Sequence, residues 1–307
     1  MKVFFMWTVV FLILLCGCSR HDALVEEKDH TTIDTKDSTI ESEDSIESIE
    51  ETTDEMEERS MVFRDVYGVE YETMINPRVA KNPYKNDFFI HDGYRLSYGD
   101  EEYQTMLGVD VSHHQGAIDW NLVKQDGYDF AIMRIGYRGY GTTGEVCPDR
   151  MFEQNYTQAR AAGLKVGVYF FAQAINEQEA REEADFVIDR LAGRVLDLPV
   201  VYDPESILDD EARTDNVSGE QFTLNTKAFC ESIKQAGYEP MIYANMLWEA
   251  FELDLEYLAE YPIWYADYES VPQTPYDFKC WQYTNEAIVD GIAGVTDLDI
   301  LIENKSE

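Results

Sequence analysis

The chain has 307 residues, 45% hydrophobic and 13% aromatic, enough for one sizeable core or two small ones. Its formal net charge of −37 argues against nucleic acid as a partner, because no basic stripe is present to neutralise phosphates. Residues 21–59 hold 16 acidic side chains against Lys28, Lys36 and Arg59, and the rest of the chain is acidic in its own right, a surface that serves solubility first.

At the N-terminus Lys2 precedes an apolar run from Val3 to Leu15, too short to span a bilayer and of the length of a signal-peptide core. The run ends Leu15-Cys16-Gly17-Cys18 and turns abruptly polar. This resembles the lipobox of bacterial lipoproteins, which implies cleavage before Cys18 and diacylglycerol on its sulfur; an ordinary cleaved signal or an uncleaved anchor is the alternative. Residues 1–18 are thus expected to be a signal peptide that leaves a membrane-anchored protein in the cell envelope, outside the cytoplasm. Residues 19–60 carry no aromatic residue and too little apolar area to offset ordering entropy, so they read as a disordered acidic linker. Residues 61–104 interleave Tyr67, Tyr71, Tyr84, Phe88, Phe89, Tyr94 and Tyr98 with Asn-Pro and Asp-Gly turn signals. That predicts a short extension packed on the main domain rather than an independent core.

The main domain covers residues 105–307. Short apolar runs at 107–111, 130–135, 166–171 and 198–202 have the character of buried strands. Helices are predicted between them: one after Asp119, one over 152–162 ending at Gly163, one over 177–191, and one over 219–235 before Gly237 and the strand 241–243. Beyond a short helix near Trp248, the strands 262–266, 279–283 and 295–300 follow without long helices. Alternation of strand and helix argues an α/β fold, a TIM-like barrel unusually poor in helices in its last third.

In such a barrel the chemistry sits at the C-terminal strand ends. Those ends read Asp110-Val-Ser-His113-His114, Arg134-Ile-Gly-Tyr137, Tyr169-Phe-Phe171, Asp203-Pro-Glu205, Tyr243-Ala-Asn245, Trp264-Tyr265-Ala-Asp267 and Trp281-Gln282-Tyr283, with Asp297 in the final strand. Acids bracketed by aromatic faces suit a sugar site, where rings stack on pyranoses and carboxyl groups handle the glycosidic oxygen. Asp203 and Glu205, spaced i, i+2, project to one side of their strand, about 6–7 Å apart by strand geometry. Neighbouring carboxylates push their pKa values apart and so furnish one acid and one anion. His113 and His114 point to opposite sides with no third ligand at recognisable spacing, so neither a metal nor another cofactor is implied. Cys147, Cys230 and Cys280 make neither a disulfide framework nor a zinc motif; unpaired thiols or one disulfide remain open.

The blocks Gly-Val-Asp-Val-Ser-His-His-Gln-Gly…Ile-Asp-Trp (108–120), Phe-x-x-Asn…Ala-Gly-Leu-x-Val-Gly-Val-Tyr-Phe-Phe (152–171), Leu-Pro-Val-Val-x-Asp-x-Glu (198–205), Ile-Trp-Tyr-Ala-Asp-Tyr (263–268) and Trp-Gln-Tyr-Thr…Val-Asp-Gly-Ile…Asp-Leu (281–298) together resemble family 25 glycoside hydrolases, the Chalaropsis-type lysozymes. The resemblance implies a (β/α)5(β)3 barrel and cleavage of peptidoglycan between N-acetylmuramic acid and N-acetylglucosamine. By position it implies Glu205 as proton donor, Asp203 as its partner carboxylate, and Asp110 and Asp297 as further acids of the site. It places Tyr169, Trp264 and Trp281 near the substrate; from their places at the strand ends, Tyr137, Phe171, Tyr243, Tyr265 and Gln282 are expected there too. Asp203 is expected to assist the substrate's own acetamido group in a retaining reaction, with a water nucleophile and inversion as the alternative. The final block departs from the family pattern, reading Thr-Asp-Leu-Asp where Val-Asp-Leu-Asn is commoner, and Tyr202 and Pro204 depart from it around the acid pair. The expected partners are glycan strands and, through Cys18, a membrane; the protein is expected to act as a monomer. Two competing functions stay open: a catalytically silent wall-binding lipoprotein, and a hydrolase of another N-acetylated glycan such as chitin.

Overall fold

The computed structural model describes residues 59–208 and 210–306; the signal segment, Cys18 and nearly all of the acidic linker lie outside them. The described chain opens with two antiparallel hairpins, β1 (Ser60–Arg64) with β2 (Glu70–Met74) and β3 (Phe89–Asp92) with β4 (Arg95–Tyr98). Both lie against the barrel. Phe63 is buried between Tyr71 and Phe251, Phe89 meets the edge of Trp281, and the Tyr84 hydroxyl donates to the Phe278 carbonyl.

The barrel begins with β5 (Tyr103–Val111), α1 (Trp120–Gln125), β6 (Phe130–Arg138), β7 (Val146–Pro148) and α2 (Phe152–Ala161). It continues with β8 (Lys165–Ala172), α3 (Glu177–Leu191), β9 (Val200–Pro204), α4 (Gly219–Gln235) and β10 (Pro240–Asn245). A π-helical turn at Trp248–Glu252 takes the place of a fifth helix, and β11 (Ile263–Ala266), β12 (Cys280–Ala287) and β13 (Thr296–Asn304) complete the chain. Among the described residues, β5, β6, β8, β9, β10, β11, β12 and β13 pair in that order, and β13 returns to β5 to close the ring. Five units carrying a helix or helical turn are thus followed by three strands, as the (β/α)5(β)3 pattern requires.

Three of the four α-helices start where a side chain satisfies their first amides. Asp119 accepts from the amides of Asn121 and Leu122, Asn176 from that of Glu179, and Ser218 from that of Gln221. Gly163 and Gly237 follow α2 and α4 at φ +84° and +86°, the left-handed conformation that ends a helix.

One element departs from the expectation of a parallel sheet. The last strand, β13, runs antiparallel to both β12 and β5. Its N-terminal end, not its C-terminal end, therefore reaches the rim where the parallel strands finish, and Asp297 pairs directly across from Asp110.

Strand alternation separates two apolar layers. Val109, Val168, Phe170, Tyr202, Tyr265, Trp281 and Ile300 face outward into the core beneath the helices and hairpins. Phe130, Ile132, Val201, Met241, Trp264, Cys280 and Leu301 fill the barrel interior. The Phe130 ring occupies the space beside Gly108, where a Cβ would fall 2.2 Å from it. Cys147, Cys230 and Cys280 are free thiols, Cys230 and Cys280 buried.

Candidate active site

At the rim the inward positions turn polar. A cleft of about 190 Å³ is lined by Asp110, Tyr169, Phe171, Asp203, Glu205, Tyr243, Trp264, Tyr268, Gln282, Asn285 and Asp297. A roomier hollow of about 330 Å³ lies at the opposite end of β11 and β12, but its walls, Leu255, Leu258, Ile263 and Phe278 among them, are largely apolar. The convergent chemistry is in the rim cleft.

Its acids form two groups. Asp203 is buried and Glu205 partly buried, and their side chains hydrogen-bond to each other, Asp203 as the donor. This corrects the separation of about 6–7 Å expected from strand geometry: the longer Glu205 side chain, beyond the end of β9, folds back onto Asp203. Burial raises the pKa of both carboxyl groups, and Glu205 pushes Asp203 further up. Asp297 also raises Glu205, while the hydrogen bond from Asp203 opposes the rise. The pair therefore holds a shared proton against an anion. The second Asp203 oxygen, Oδ1, is buried with no protein partner.

The other group is Asp110, Asp297 and Asp299. Burial, then the charges of Asp297 and Asp299, drives Asp110 well above the usual carboxylate range. Its carboxyl is within hydrogen-bonding reach of both those neighbours, and burial carries Asp297 to about 6. Gln282 Nε2 donates to Asp110 Oδ2 at 2.8 Å, while Gln282 Oε1 accepts from the hydroxyls of Tyr243 at 3.1 Å and Tyr268 at 2.9 Å. Trp264 Nε1 donates to Asp299 Oδ1 at 2.8 Å, and its ring meets Tyr169 and Tyr243 edge-on.

Three residues expected near the substrate do not line the cleft. Tyr265 and Trp281 occupy the outward phase of β11 and β12, one residue from Trp264 and Gln282, and strand alternation turns them into the outer core. The Tyr265 hydroxyl donates to Asp267 and Trp281 Nε1 to the Asp267 carbonyl. Tyr137 follows a register shift in β6 and lies under the Arg134 guanidinium, its centroid 5.1 Å away. Arg134 itself pairs with Asp149 at 3.0 Å rather than with Asp297. Asp149 also accepts from the His113 amide and lies 3.1 Å from His113 Nδ1, which fixes that ring.

Tyr268, Asn285 and Asp299 belong to the cleft or its floor and were not singled out from the sequence. Tyr268 ends the Ile-Trp-Tyr-Ala-Asp-Tyr block, so its position was readable. Asn285 follows a register irregularity after Gln282, which defeats simple alternation. Behind the acid pair stands Gln173. Its Nε2 donates to the Glu205 carbonyl at 2.7 Å and its amide to Glu183 Oε1 at 3.2 Å. Its Oε1 accepts from Thr214 and its carbonyl from Arg213. Glu183, buried against Arg138 at 2.7 Å, is raised by burial to about 7 in spite of that cation.

A closed barrel that gathers buried acids and indole and phenol faces on its C-terminal rim is the architecture of a glycoside hydrolase. Comparison with known proteins narrows the class. The chain belongs to glycosyl hydrolases family 25, whose profile matches residues 109–292. It is 27% identical over 195 residues to the autolytic lysozyme of Clostridium acetobutylicum, an alignment covering 63% of this chain and 55% of that one. The chain thus matches about half the length of that relative. Lysozyme M1 of Streptomyces globisporus is 30% identical over 209 residues, 65% of this chain and 68% of that one. Among solved structures, a family 25 glycosyl hydrolase from Bacillus anthracis superposes with a TM-score of 0.56 at 22% identity, covering 71% of this chain and 97% of that one. The bacterial lysozyme of Streptomyces coelicolor gives 0.52 at 26%, covering 63% and 90%.

Proposed function

We propose that this protein is a lysozyme that hydrolyses the β-1,4 bond between N-acetylmuramic acid and N-acetylglucosamine in peptidoglycan. The observation that carries the reading is the hydrogen-bonded Asp203–Glu205 pair, one shared proton beside an unpartnered carboxylate oxygen, in a cleft walled by Tyr169, Tyr243 and Trp264. Relatives named as lysozymes support the choice of substrate.

In the proposed reaction the proton that Asp203 shares with Glu205 passes to Glu205 as Asp203 turns to the substrate amide, and Glu205 donates it to the leaving glycosidic oxygen. Asp203 Oδ1 accepts the N–H of the 2-acetamido group and orients it, so that the acetamido oxygen attacks the anomeric carbon as the bond to the leaving sugar breaks. The acetamido nitrogen keeps its proton, so an oxazolinium ion forms beside anionic Asp203; Glu205, now anionic, takes a proton from water, whose oxygen bonds to the anomeric carbon as the ring C–O bond breaks, with net retention. The carboxyl contact favours this route. Inversion needs roughly 6.5–9.5 Å between carboxyl groups to admit water, and a covalent enzyme intermediate about 5–5.5 Å. Asp110 and Asp297, with Gln282, stabilise developing positive charge and hold the sugar.

Wild-type protein should clear a peptidoglycan suspension, and Glu205→Gln should not. Absence of activity in both would favour a silent wall-binding protein. Proton NMR of the first-formed product distinguishes the routes: β-anomer is expected, and initial α-anomer would rule out retention.

We infer further that the protein is tethered outside the cytoplasm through lipid on Cys18, in the Leu15-Cys16-Gly17-Cys18 segment. Two or three acyl chains suffice for stable anchoring. Metabolic labelling with a fatty-acid probe should mark the wild type and not Cys18→Ala; equal labelling would exclude this cysteine.

A further inference from the structure

The β1–β2 hairpin lies outside the family 25 match, yet its tip stands on the same rim as the acids. Asp203 lies at the end of β9 and Glu205 just beyond it; Tyr243 and Trp264 are paired residues of β10 and β11, and the next inward pair outward along the barrel is Asn245 with Ala266. These two, with Met246, line a shallow apolar hollow of about 70 Å³ whose far wall is Val66 and Tyr67 of the hairpin tip and Leu208 of the loop after Glu205. The hollow is thus the next cavity along β10 and β11 from the cleft, on the side of the hairpin.

The tip is held rigidly. Asp65 Oδ1 accepts from the amides of Tyr67 and Val69 at 2.9 Å each, and Gly68 turns the chain at φ +78°. Gln273 clamps Arg64 by accepting from its amide and donating to its carbonyl, both at 2.9 Å, and is itself held by Asp267. Despite this order the tip side chains face solvent: Tyr67 is 71% exposed, Val66 58% and Leu208 69%. Exposed apolar groups on a preorganised turn beside a cleft mark a binding surface.

We propose that Tyr67, Val66 and Leu208 form an additional sugar subsite that holds the glycan strand beyond the cleaved bond. The proposal rests on the reading of the cleft as a glycan hydrolase site. The hollow is too small for a whole ligand and suits one face of a pyranose, laid against the Tyr67 ring. The apolar face of a sugar also fits better than an acidic peptide stem, since Arg64, the cation in the lining, is already paired with Glu70 and stands beside Asp65 and Asp267.

The test uses the full chain in a Glu205→Gln background and measures binding to long peptidoglycan glycan strands stripped of stem peptides, and to the disaccharide repeat. Tyr67→Ala should weaken binding to long strands roughly three- to tenfold and leave the disaccharide unaffected, with Tyr67→Phe close to the parent. Unaltered or tighter binding of long strands by Tyr67→Ala would overturn the subsite, as would a loss seen only on strands that retain their peptides. Hydrolysis by the wild type separately tests the lysozyme reading: an active wild type with Tyr67→Ala binding unchanged defeats the subsite alone. An unchanged melting temperature for Tyr67→Ala excludes unfolding as the cause.

Discussion

Gln173 touches no reacting atom in the proposed chemistry, yet each of its four polar groups is hydrogen-bonded, one of them to the backbone of Glu205. Gln173→Ala should therefore lower kcat on the order of tenfold while leaving KM nearly unchanged, since a small misplacement of an acid is costly; steady-state kinetics on a soluble glycan checks this. Glu205→Gln should lose about 10²–10⁴-fold. Because Asp203 and Glu205 must hold one proton between them, neither two nor none, kcat/KM should rise and then fall with pH. Asp297 raises Glu205, so Asp297→Asn should move the alkaline limb to lower pH, a shift that a pH–rate profile reads directly. The acids of this site were legible because acidic residues at buried strand ends have few structural uses. The aromatic residues were less so. Trp264 and Tyr265 are equally aromatic and adjacent, and only the phase of the strand decides which faces the sugar and which the core.

At the level of elements, the alternation of strands and helices was readable because the strands are short apolar runs and three of the four α-helices have a capping residue, Asp119, Asn176 or Ser218. The direction of β13 was not, since nothing local to Thr296–Asn304 says whether it runs up or down the barrel; closure against β5 and β12 decides it. That closure is also what carries Asp297 to the rim. It depends on close approach of β5 and β6, where the Phe130 ring lies beside Gly108. Gly108→Ala should cost about 1–3 kcal/mol through overpacking, measured by chemical denaturation, with loss of activity in proportion to unfolding. The hairpins, too, were legible only as aromatic-rich turns. Their seat on the barrel is set by long-range pairs such as Phe63 with Phe251 and Phe89 with Trp281.

At the level of the molecule, an acidic chain has also buried acids. Burial raises Glu183 to about 7, Glu249 to about 8 and Asp297 to about 6, and Asp110, Asp203 and Asp299 rise with them. Folded-state values above the unfolded ones mean that the native state binds more protons, so this stability is present below about pH 4 and is lost as pH rises towards 8. Asp149 and Glu179, held below their ordinary values, work in the opposite sense only at the acid end. The melting temperature should accordingly fall between pH 5 and pH 8. Glu249→Gln should flatten part of that fall, because Glu249 Oε1 is buried without a partner; a melting temperature that rises across this range would contradict the assignment. The central claim concerns which bond is cut. Digestion of purified peptidoglycan, borohydride reduction and mass spectrometry of the products identify the new reducing end. Reduced N-acetylmuramic acid is expected from the wild type and absent with Glu205→Gln; reduced N-acetylglucosamine, or no release by the wild type, would exclude cleavage at this bond.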